Sequence, residues 1–261
     1  MYANLAYNFE LYLELCTFLD FLGNQDLIMR KYEYFCTINR INMDTQLVIF
    51  DFDGTLADTT ESIIKTYNAT FDALSVTRPS VDACRNTIGV PLREGFRILF
   101  PNSDDERLDE FVSTYRAIYA ENQQNLIPAL FQDVTETLEA FSEAGIKMSI
   151  ASSRSRISLL SFCRSKGIEK FFSLILGCED VAKPKPDPTP VFDTLLSFCL
   201  NPDEALVVGD MPVDIAMGRG AGCRTVGVTY GNSSSEALKA AGATFVINRF
   251  KKLREIVLKQ E

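Results

Sequence analysis

The sequence predicts an α/β protein with a parallel central sheet and an inserted helical domain, and three observations support this prediction. From Gln46 onward, short apolar runs alternate with amphipathic helical patterns, which is typical of a parallel sheet covered by helices. Polar residues follow several of these runs, where such sheets bind ligands. The interval from about Thr59 to Asn125 contains helical patterns without a convincing buried strand. We therefore expect a Rossmann-like core that is interrupted by a helical insert.

Six short apolar runs are predicted to form the strands of the sheet. They are Leu47–Phe52, Ile146–Ala151, Leu174–Leu176, Ala205–Val208, Thr225–Val228 and Phe245–Ile247. From the second run onward, the stretches between them have helical periodicity. Such an alternation of strands and helices predicts that the strands run parallel.

The helical interval after the first strand is predicted to be a second, smaller domain over the ends of the sheet strands. Within it, Ser103 and Glu106 have the spacing of a capping box, which predicts the start of a long helix that continues through Tyr119. Natural hinges are expected near Asp58 and in Phe131–Asp133. The predicted boundaries are 59–130 for the helical cap, and 44–58 together with 131–261 for the core.

Residues 1–43 lie outside this pattern. The stretch from Leu5 to Leu22 is rich in apolar residues, but three acidic residues interrupt it, so neither a signal peptide nor a membrane-spanning helix fits. This N-terminal extension is interpreted either as an extra amphipathic helix or as a segment upstream of a true translation start at Met43. The second interpretation is favoured, because nothing before Met43 is needed by the strand that follows.

Composition excludes several classes of function. With 26 Lys and Arg against 35 Asp and Glu, the net charge is −9, which disfavours nucleic acid as a partner because that affinity comes largely from phosphate neutralisation. The absence of histidine excludes Ser-His-Asp and Cys-His catalysis and histidine zinc sites. The seven cysteines are scattered without a C-x-x-C pair, which is typical of reduced thiols in a cytoplasmic protein.

Two carboxylates at the end of the first strand are the strongest candidates for catalysis. Asp51 and Asp53 flank Phe52, and because side chains alternate along a strand, both carboxylates point the same way. They lie at the carboxyl end of a buried parallel strand, where open α/β sheets bind ligands. Gly54 then allows the backbone to turn sharply. Taken alone, these residues also fit an ordinary strand end with an Asp-Gly turn.

Polar residues at three further strand ends favour the functional interpretation. Ser152 follows the second run, Lys183 lies shortly after the third, and Gly209-Asp210 ends the fourth, with Asp214 four residues later. Each has an alternative explanation, since Ser152 and Asp214 could cap helices and Lys183 could be a solvated surface cation. Together, four successive strands deliver a polar group to the same edge of one sheet, which predicts a single site.

The sequence resembles the haloacid dehalogenase superfamily, in its phosphoglycolate-phosphatase-like and β-phosphoglucomutase-like branch with a helical cap. D-F-D-G-T-L-A-D at 51–58 matches the first motif, Ser152 the second, Lys183 in K-P-x-P-D-P the third and G-D-x-x-x-D at 209–214 the fourth. The match covers roughly residues 44–255 with all four motifs in order. The resemblance implies a magnesium-dependent phosphatase that acts through an aspartyl-phosphate intermediate.

The resemblance also implies roles for individual residues. Asp51 would be the nucleophile, Asp53 the general acid and base, and Lys183 the cation that stabilises charge during transfer. Mg²⁺ would be held by the Asp51 side chain, the Asp53 backbone carbonyl and Asp210, while Asp214 would orient Lys183 or a metal-bound water. Substrate would contact a further set of residues. These are Ser152, Ser153, Arg93, Gly54 and Thr55.

Three basic residues near the motifs receive separate expectations. Arg93, in the cap, is expected either to grip a carboxylate or second phosphate of the substrate or to be an exposed charge at a helix start. Lys185 falls outside the motif position and is expected to be a solvated surface cation. Arg154, directly after the second motif, is also expected at the surface.

The expected substrate is a small phosphorylated metabolite, with 2-phosphoglycolate as the leading candidate by resemblance. Pyrophosphate, sugar phosphates and nucleoside monophosphates stay open. Asp53 argues against a dehalogenase, which needs no acid at that position. A β-phosphoglucomutase-like phosphotransferase and a non-catalytic binding protein on the same fold are the alternatives. We expect a cytoplasmic monomer or homodimer without a membrane partner.

Overall fold

A six-stranded parallel sheet forms the core of the protein, as seen in a computed structural model that describes residues 45–122 and 128–259. The strand order is β5-β4-β1-β6-β7-β8, and each neighbouring pair is parallel. The strands are β1 Leu47–Phe50, β4 Lys147–Ala151, β5 Leu174–Leu176, β6 Ala205–Gly209, β7 Arg224–Val228 and β8 Phe245–Ile247. The predicted fold class is therefore confirmed, while the predictions for residues 1–43 lie outside the described residues.

The first strand ends earlier than the sequence predicts, at Phe50 instead of Phe52. The backbone carbonyl of Phe52 accepts from the amides of Leu56 and Ala57 at 3.0 and 3.1 Å. These bonds close a tight loop immediately after Asp51, so the chain leaves the sheet there. The loop presents the polar residues that follow β1 at the carboxyl edge of the sheet, between the ends of its neighbours β4 and β6.

Helices cover both faces of the sheet, because β1 is fully buried and its side chains alternate between two hydrophobic clusters. Val48 and Phe50 pack against helices α5, α6 and α10, whereas Leu47 and Ile49 pack against α7 and α8. Helix α9 covers the far end of the sheet beside β7. These core helices are α5 Val134–Glu143, α6 Arg156–Ser165, α7 Thr189–Phe198, α8 Pro212–Gly220, α9 Ser235–Ala240 and α10 Leu253–Leu258.

The insert after β1 is helical and has a hydrophobic cluster of its own. Its centre is aromatic: the rings of Phe96 and Phe111 stack at 5.0 Å, and the ring of Tyr67 meets that of Phe96 edge-on at 5.3 Å. A short antiparallel pair of strands joins the insert to the core. The elements are β2 Ala57–Asp58, α1 Thr60–Ala73, α2 Val81–Arg85, α3 Leu92–Leu99, α4 Asp105–Asn122 and β3 Ala129–Leu130.

The long helix predicted within the insert is present as α4, but it begins one residue later than the capping-box pattern indicates. Asp104, instead of Ser103, caps it by accepting from the amide of Arg107 at 2.8 Å. None of the described helices combines the length and apolar composition that crossing a membrane requires.

Helix α8 packs so closely on the sheet that one of its glycines has no room for a side chain. A Cβ atom on Gly218 would lie 2.6 Å from Thr225 Cγ2 and 2.8 Å from Val207 Cβ, whereas a Cβ on Gly220 would lie 3.4 Å from Pro188. We expect Gly218→Ala to lower the free energy of unfolding by ~1–3 kcal/mol because the core is overpacked. Gly220→Ala, the matched control, should change it by less than ~1 kcal/mol. Urea unfolding of both variants tests this, and equal stabilities would contradict it.

Candidate active site

A buried ion cluster lies at the carboxyl edge of the sheet and centres on Asp51. Lys185 Nζ donates to Asp51 Oδ1 at 2.5 Å and to Asp214 Oδ1 at 2.7 Å, and all three side chains are at most 2% exposed. Asp214 also accepts from the backbone amide of Met211 at 3.0 Å through its second oxygen, which fixes its carboxylate at the start of α8. Lys185 therefore bridges two carboxylates, one directly after β1 and one in the first turn of α8.

The lysine of this cluster is Lys185, which corrects the prediction that Lys183 is the catalytic cation and Lys185 a surface residue. The Lys183 side chain is 70% exposed, and its ammonium lies 3.9 Å from Asp187. Both lysines precede a proline in Lys-Pro-Lys-Pro, so the motif can be aligned in two registers that differ by two residues. A turn in which the amide of Asp187 donates to the carbonyl of Pro184 at 3.0 Å contains Lys185, whose side chain enters the site.

Asp210, at the end of β6, is held in the same cluster by the loop after β7. Its Oδ2 accepts from the backbone amide of Asn232 at 2.7 Å and from the Asn232 side-chain amide at 2.9 Å, and its Oδ1 accepts from Thr55 Oγ1 at 3.3 Å. Gly54 has a positive φ of 84°, and a Cβ there would lie 2.2 Å from Asp210 Oδ2. Gly54 and Thr55 thus shape the surroundings of Asp210, and Asn232 is a site residue that the sequence analysis missed.

The buried carboxylates form a group that fits a divalent cation. Asp51, Asp210 and Asp214 each offer an oxygen, and these oxygens lie within 4.8 Å of one another. Asp51 Oδ2 is buried without a hydrogen-bond partner. A buried carboxylate oxygen without a partner is costly, and hard carboxylate oxygens are the ligands that Mg²⁺ prefers. The oxygens of Asp210 and Asp214 all have hydrogen-bond partners, so Oδ2 of Asp51 is the oxygen of this group that is left open to a cation.

The pKa shifts in the cluster show the cost of placing these charges together. Burial raises the pKa of Asp51 well above its usual value, Lys185 opposes the rise, and the nearby carboxylates add to it. Burial likewise raises the pKa of Asp210 to about 7, and the charge of Asp214 adds to the shift. Burial alone would lower the pKa of Lys185, but Asp214 and Asp51 raise it above its usual value, so this side chain is an ammonium. Three ionised carboxylates and one ammonium would leave two negative charges, so a divalent cation would favour the ionised form of the buried carboxylates.

Asp53, the second carboxylate after β1, is paired with Arg154 instead of Lys185. Arg154 donates to both carboxylate oxygens, from Nη2 at 2.5 Å and from Nε at 3.1 Å. The prediction that Arg154 is a surface residue is wrong, since its side chain is only 8% exposed. The guanidinium carbon of Arg154 lies 5.4 Å from the centre of the Phe52 ring and 5.2 Å from the centre of the Tyr119 ring of the cap.

The loop after β4 joins the core site to the cap. Ser152 is buried, and its hydroxyl accepts from the amide of Arg154 at 3.2 Å. It shares the lining of a small cavity with Lys185. Ser153 Oγ donates to the cap carbonyl of Gly89 at 2.7 Å. The predicted substrate residues Ser152 and Ser153 therefore lie at the junction of the site and the cap.

Arg93, the cap residue predicted to grip the substrate, makes its contacts elsewhere. Its Nε donates to Asp109 and its Nη2 to Asp105, both at 2.9 Å and both on helix α4. The side chain is 38% exposed, and its described ion pairs include neither Asp53 nor a carboxylate of the buried cluster. The geometry therefore matches the alternative expectation of an exposed charge at a helix start.

Comparison with known proteins places the chain in a family. Residues 48–228 match the family described as haloacid dehalogenase-like hydrolase. The chain is 32% identical over 209 residues to the pyrophosphatase PpaX of Bacillus velezensis, covering 80% of this chain and 94% of that protein. It is 33% identical over 206 residues to IndB of Dickeya dadantii, described as a phosphatase, covering 78% of this chain and 90% of that protein.

Solved structures show the same architecture. A protein from Bacteroides fragilis, described as a haloacid dehalogenase-like hydrolase, superposes with a TM-score of 0.77 at 30% identity, over 80% of this chain and all of that one. CbbY from Rhodobacter sphaeroides, solved in complex with phosphate, superposes with a TM-score of 0.68 at 22% identity, over 80% of this chain and 96% of that one. The second likeness shows the fold alone.

The charge imbalance of the cluster yields a stability prediction. In the presence of chelator, we expect Asp210→Asn to raise the free energy of unfolding by ~0.5–2 kcal/mol, because it removes a buried like charge. The amide oxygen can still accept from Asn232, and the amide nitrogen would face Thr55 Oγ1, which can accept a hydrogen bond. Mg²⁺ should then raise the melting temperature of the natural protein but not that of the variant.

The control for this experiment is Asp203→Asn, an exposed aspartate outside the cluster. It should leave both the stability in chelator and the Mg²⁺-dependent shift unchanged. Destabilisation by Asp210→Asn in chelator would show that Asp210 is a structural acceptor whose charge costs nothing.

Proposed function

The chain belongs to the haloacid dehalogenase-like hydrolases and is a phosphatase of that family, and we propose that it uses Mg²⁺ and an aspartyl-phosphate on Asp51 to hydrolyse small phosphate esters. The observation that carries this proposal is the unpartnered Oδ2 of Asp51 inside the carboxylate cluster. Lys185 occupies the other oxygen, so one oxygen of this buried carboxylate is left for a cation or a phosphorus atom.

A covalent intermediate suits a reaction this slow. Uncatalysed hydrolysis of phosphate monoesters demands rate enhancements of up to about 10²¹, whereas one general acid supplies about 10²–10⁴. Two easier displacements at phosphorus replace one difficult step when a carboxylate attacks first. Asp51 is the carboxylate with an oxygen free to attack, and Lys185 restrains its other oxygen.

The proposed reaction has two steps. A carboxylate oxygen of Asp51 forms a bond to phosphorus as the bond to the leaving oxygen breaks, and Asp53 gives a proton to that oxygen. A water molecule then attacks phosphorus, Asp53 takes the proton of that water, and the bond to Asp51 breaks to release inorganic phosphate. Lys185 and the backbone around Ser152 would balance the charge of the phosphoryl oxygens.

Mg²⁺ would be held by the side chains of Asp51 and Asp210 and by the backbone carbonyl of Asp53. When bound, it supplies positive charge that neutralises the buried carboxylates and the phosphoryl oxygens. Asn232 and Thr55 keep the carboxylate of Asp210 oriented for this role. Asp214 acts by holding Lys185 in place.

Two substrates are the leading candidates. 2-Phosphoglycolate is favoured by the sequence motifs and the helical cap. Pyrophosphate is favoured by the relatives, since PpaX of Bacillus velezensis is named as a pyrophosphatase. Both are small, and both carry a second anionic group beyond the phosphoryl group that is transferred. We place the reaction in the cytoplasm, where the buried thiols of Cys84, Cys163 and Cys223 would stay reduced.

The alternatives differ from a phosphatase in measurable ways. A phosphomutase of the β-phosphoglucomutase type keeps the same core residues, but it would need a bisphosphate activator and would hydrolyse its aspartyl-phosphate slowly. A non-catalytic binding protein is disfavoured, because Asp51, Asp53, Asp210 and a buried lysine are all retained.

The first test is phosphate release from a panel of phosphorylated metabolites, with Mg²⁺ and with chelator. We expect Mg²⁺-dependent turnover of 2-phosphoglycolate or pyrophosphate. Asp51→Asn should remove essentially all of it, because an amide cannot replace the carboxylate as nucleophile. The melting temperature of the variant should show that it is folded. Absence of release from every compound by folded natural protein would overturn the proposal, and release only after a sugar bisphosphate is added would indicate a mutase.

The two lysines of the Lys-Pro-Lys-Pro segment give a matched pair for the second test. Lys185→Met should reduce kcat by about 100-fold or more, because the variant loses a preorganised charge beside the transferred phosphoryl group. Lys183→Met should leave kcat and KM within about twofold, since that side chain is 70% exposed. A large loss in Lys183→Met together with an active Lys185→Met would restore the original motif alignment.

A further inference from the structure

We infer that Arg154 recognises the leaving group of the substrate, and that the enzyme therefore prefers phosphate compounds whose leaving group carries its own anionic group. The inference rests on the proposed function, because it concerns the specificity of that same site. The shared chemistry of such leaving groups is a carboxylate or a second phosphoryl group close to the bond that breaks.

The first argument is the position of the guanidinium. Arg154 lies in the loop after β4, and both its Nε and Nη2 atoms contact the carboxylate of Asp53. Asp53 is the residue that would protonate the leaving oxygen. A group bound to Arg154 would therefore lie beside the leaving oxygen, on the leaving-group side of phosphorus.

The second argument is energetic. The Arg154 side chain is 8% exposed, and enclosing a guanidinium costs free energy that a salt bridge often fails to recover. Packing against the rings of Phe52 and Tyr119 gives the side chain favourable contacts, but an apolar side chain would make such contacts without desolvating a charge. Because the Arg154 guanidinium is buried at this cost in free energy beside the proposed catalytic acid, we assign it a role in binding the leaving group.

The third argument is that the observed pair does not suit the chemistry. Both oxygens of Asp53 accept from Arg154, so neither is free to face a leaving oxygen while this pair is intact. The general acid must instead carry a proton when the leaving oxygen departs. Arg154 must then release Asp53, and an anionic group on the substrate offers the guanidinium a replacement partner of the same geometry. The planar fork of arginine matches carboxylate and phosphate oxygens equally well.

The fourth argument is that Arg154 stays anchored when Asp53 is released. Its third nitrogen, Nη1, donates to Ser158 Oγ at 2.9 Å and to the hydroxyl of Tyr119. These contacts leave Nε and Nη2 as the two donors that face Asp53. Tyr119 belongs to cap helix α4, so the anchored position of the guanidinium also depends on the cap lying over the site.

The fifth argument is that the site offers few other cations. Within the described residues, the ion pairs of Asp51, Asp53 and Asp214 involve two basic side chains, Lys185 and Arg154. Lys185 is engaged by two carboxylates and serves the transferred phosphoryl group. Arg154 is therefore the cation left for a second anionic group.

The experiment compares two substrates of nearly equal size that differ in one charge. 2-Phosphoglycolate has a carboxylate where 2-hydroxyethyl phosphate has a neutral CH₂OH group. The measured quantity is the ratio of kcat/KM for the two compounds, with Mg²⁺, within each protein variant. A general loss of activity cancels in this ratio. Pyrophosphate is assayed in parallel, to distinguish a phosphoryl anion from a carboxylate as the preferred group.

We expect the natural protein to prefer 2-phosphoglycolate, pyrophosphate or both over 2-hydroxyethyl phosphate by at least tenfold. Arg154→Gln should reduce this preference by roughly 10- to 100-fold, the value of a charged hydrogen-bond pair. Arg154→Lys should recover only part of it, because an ammonium lacks the planar fork. Arg156→Gln is the control, because Arg156 lies two residues from Arg154 in the sequence and its side chain is 50% exposed. This variant should leave the ratio unchanged.

Each contrary outcome has a distinct meaning. The inference would be overturned without any variant if the natural protein preferred neither 2-phosphoglycolate nor pyrophosphate over 2-hydroxyethyl phosphate. It would also be overturned if folded Arg154→Gln kept the full preference of the natural protein. In either case, hydrolysis of 2-hydroxyethyl phosphate that depends on Asp51 would leave the proposed function intact. Absence of hydrolysis of all three compounds would instead be the failure of the proposed function. If Arg154→Gln does not fold, the ratio measured in the natural protein and the ratio measured in Arg154→Lys test the inference instead.

Discussion

The repulsion among aspartates at one edge of the sheet is the constraint on which the rest of the structure depends. Asp51 and Asp210 directly follow two neighbouring strands, Asp214 lies in the first turn of α8, and the protein buries all three completely or nearly so. Burial raises the pKa of Asp51 and of Asp210, so the site is held together against its own charge. Lys185 balances part of that charge, and Asn232 and Thr55 fix Asp210. The surrounding strands are almost wholly apolar, and their burial contributes the free energy that offsets the cost of burying these charges.

The same constraint explains how the cap takes part in the site. The carboxylate of Asp53 is balanced by Arg154 instead of Lys185, and Arg154 in turn contacts Tyr119 of the cap. Ser153 adds a second link, since its hydroxyl donates to the cap carbonyl of Gly89. One short loop after β4 therefore contacts both the charged site and the cap. A substrate that draws Arg154 away from Asp53 would act on both at once, which connects specificity to exclusion of water.

Much of the fold and part of the site could be predicted because their signals are local. The six strands were found from apolar runs, with ends that differ by at most two residues, since a parallel strand buried on both faces is apolar along its length. Asp51, Asp53, Asp210 and Asp214 were found from their place after a strand. The strand alternation invoked for Asp51 and Asp53 does not reach them, because β1 ends at Phe50. The early end of β1 was missed, because it depends on hydrogen bonds to the carbonyl of Phe52 that residue types do not encode.

The two errors in the site concern Lys185 and Arg154, and they have a common physical origin. Whether a charged side chain is buried depends on the partner that it meets in the fold, and not on its neighbours in the sequence. Arg154 and Asp53 are 101 residues apart, and Lys185 and Asp51 are 134 residues apart. Lys183 and Lys185 have nearly the same local sequence, so only the turn at Pro184–Asp187 distinguishes the buried lysine from the exposed one. A signal was nevertheless present: four acidic residues converge on one sheet edge, and such a cluster requires buried cations from the adjacent loops. Counting charges at the predicted edge would have drawn both Arg154 and Lys185 into the site, since each lies in a loop that follows a strand ending there.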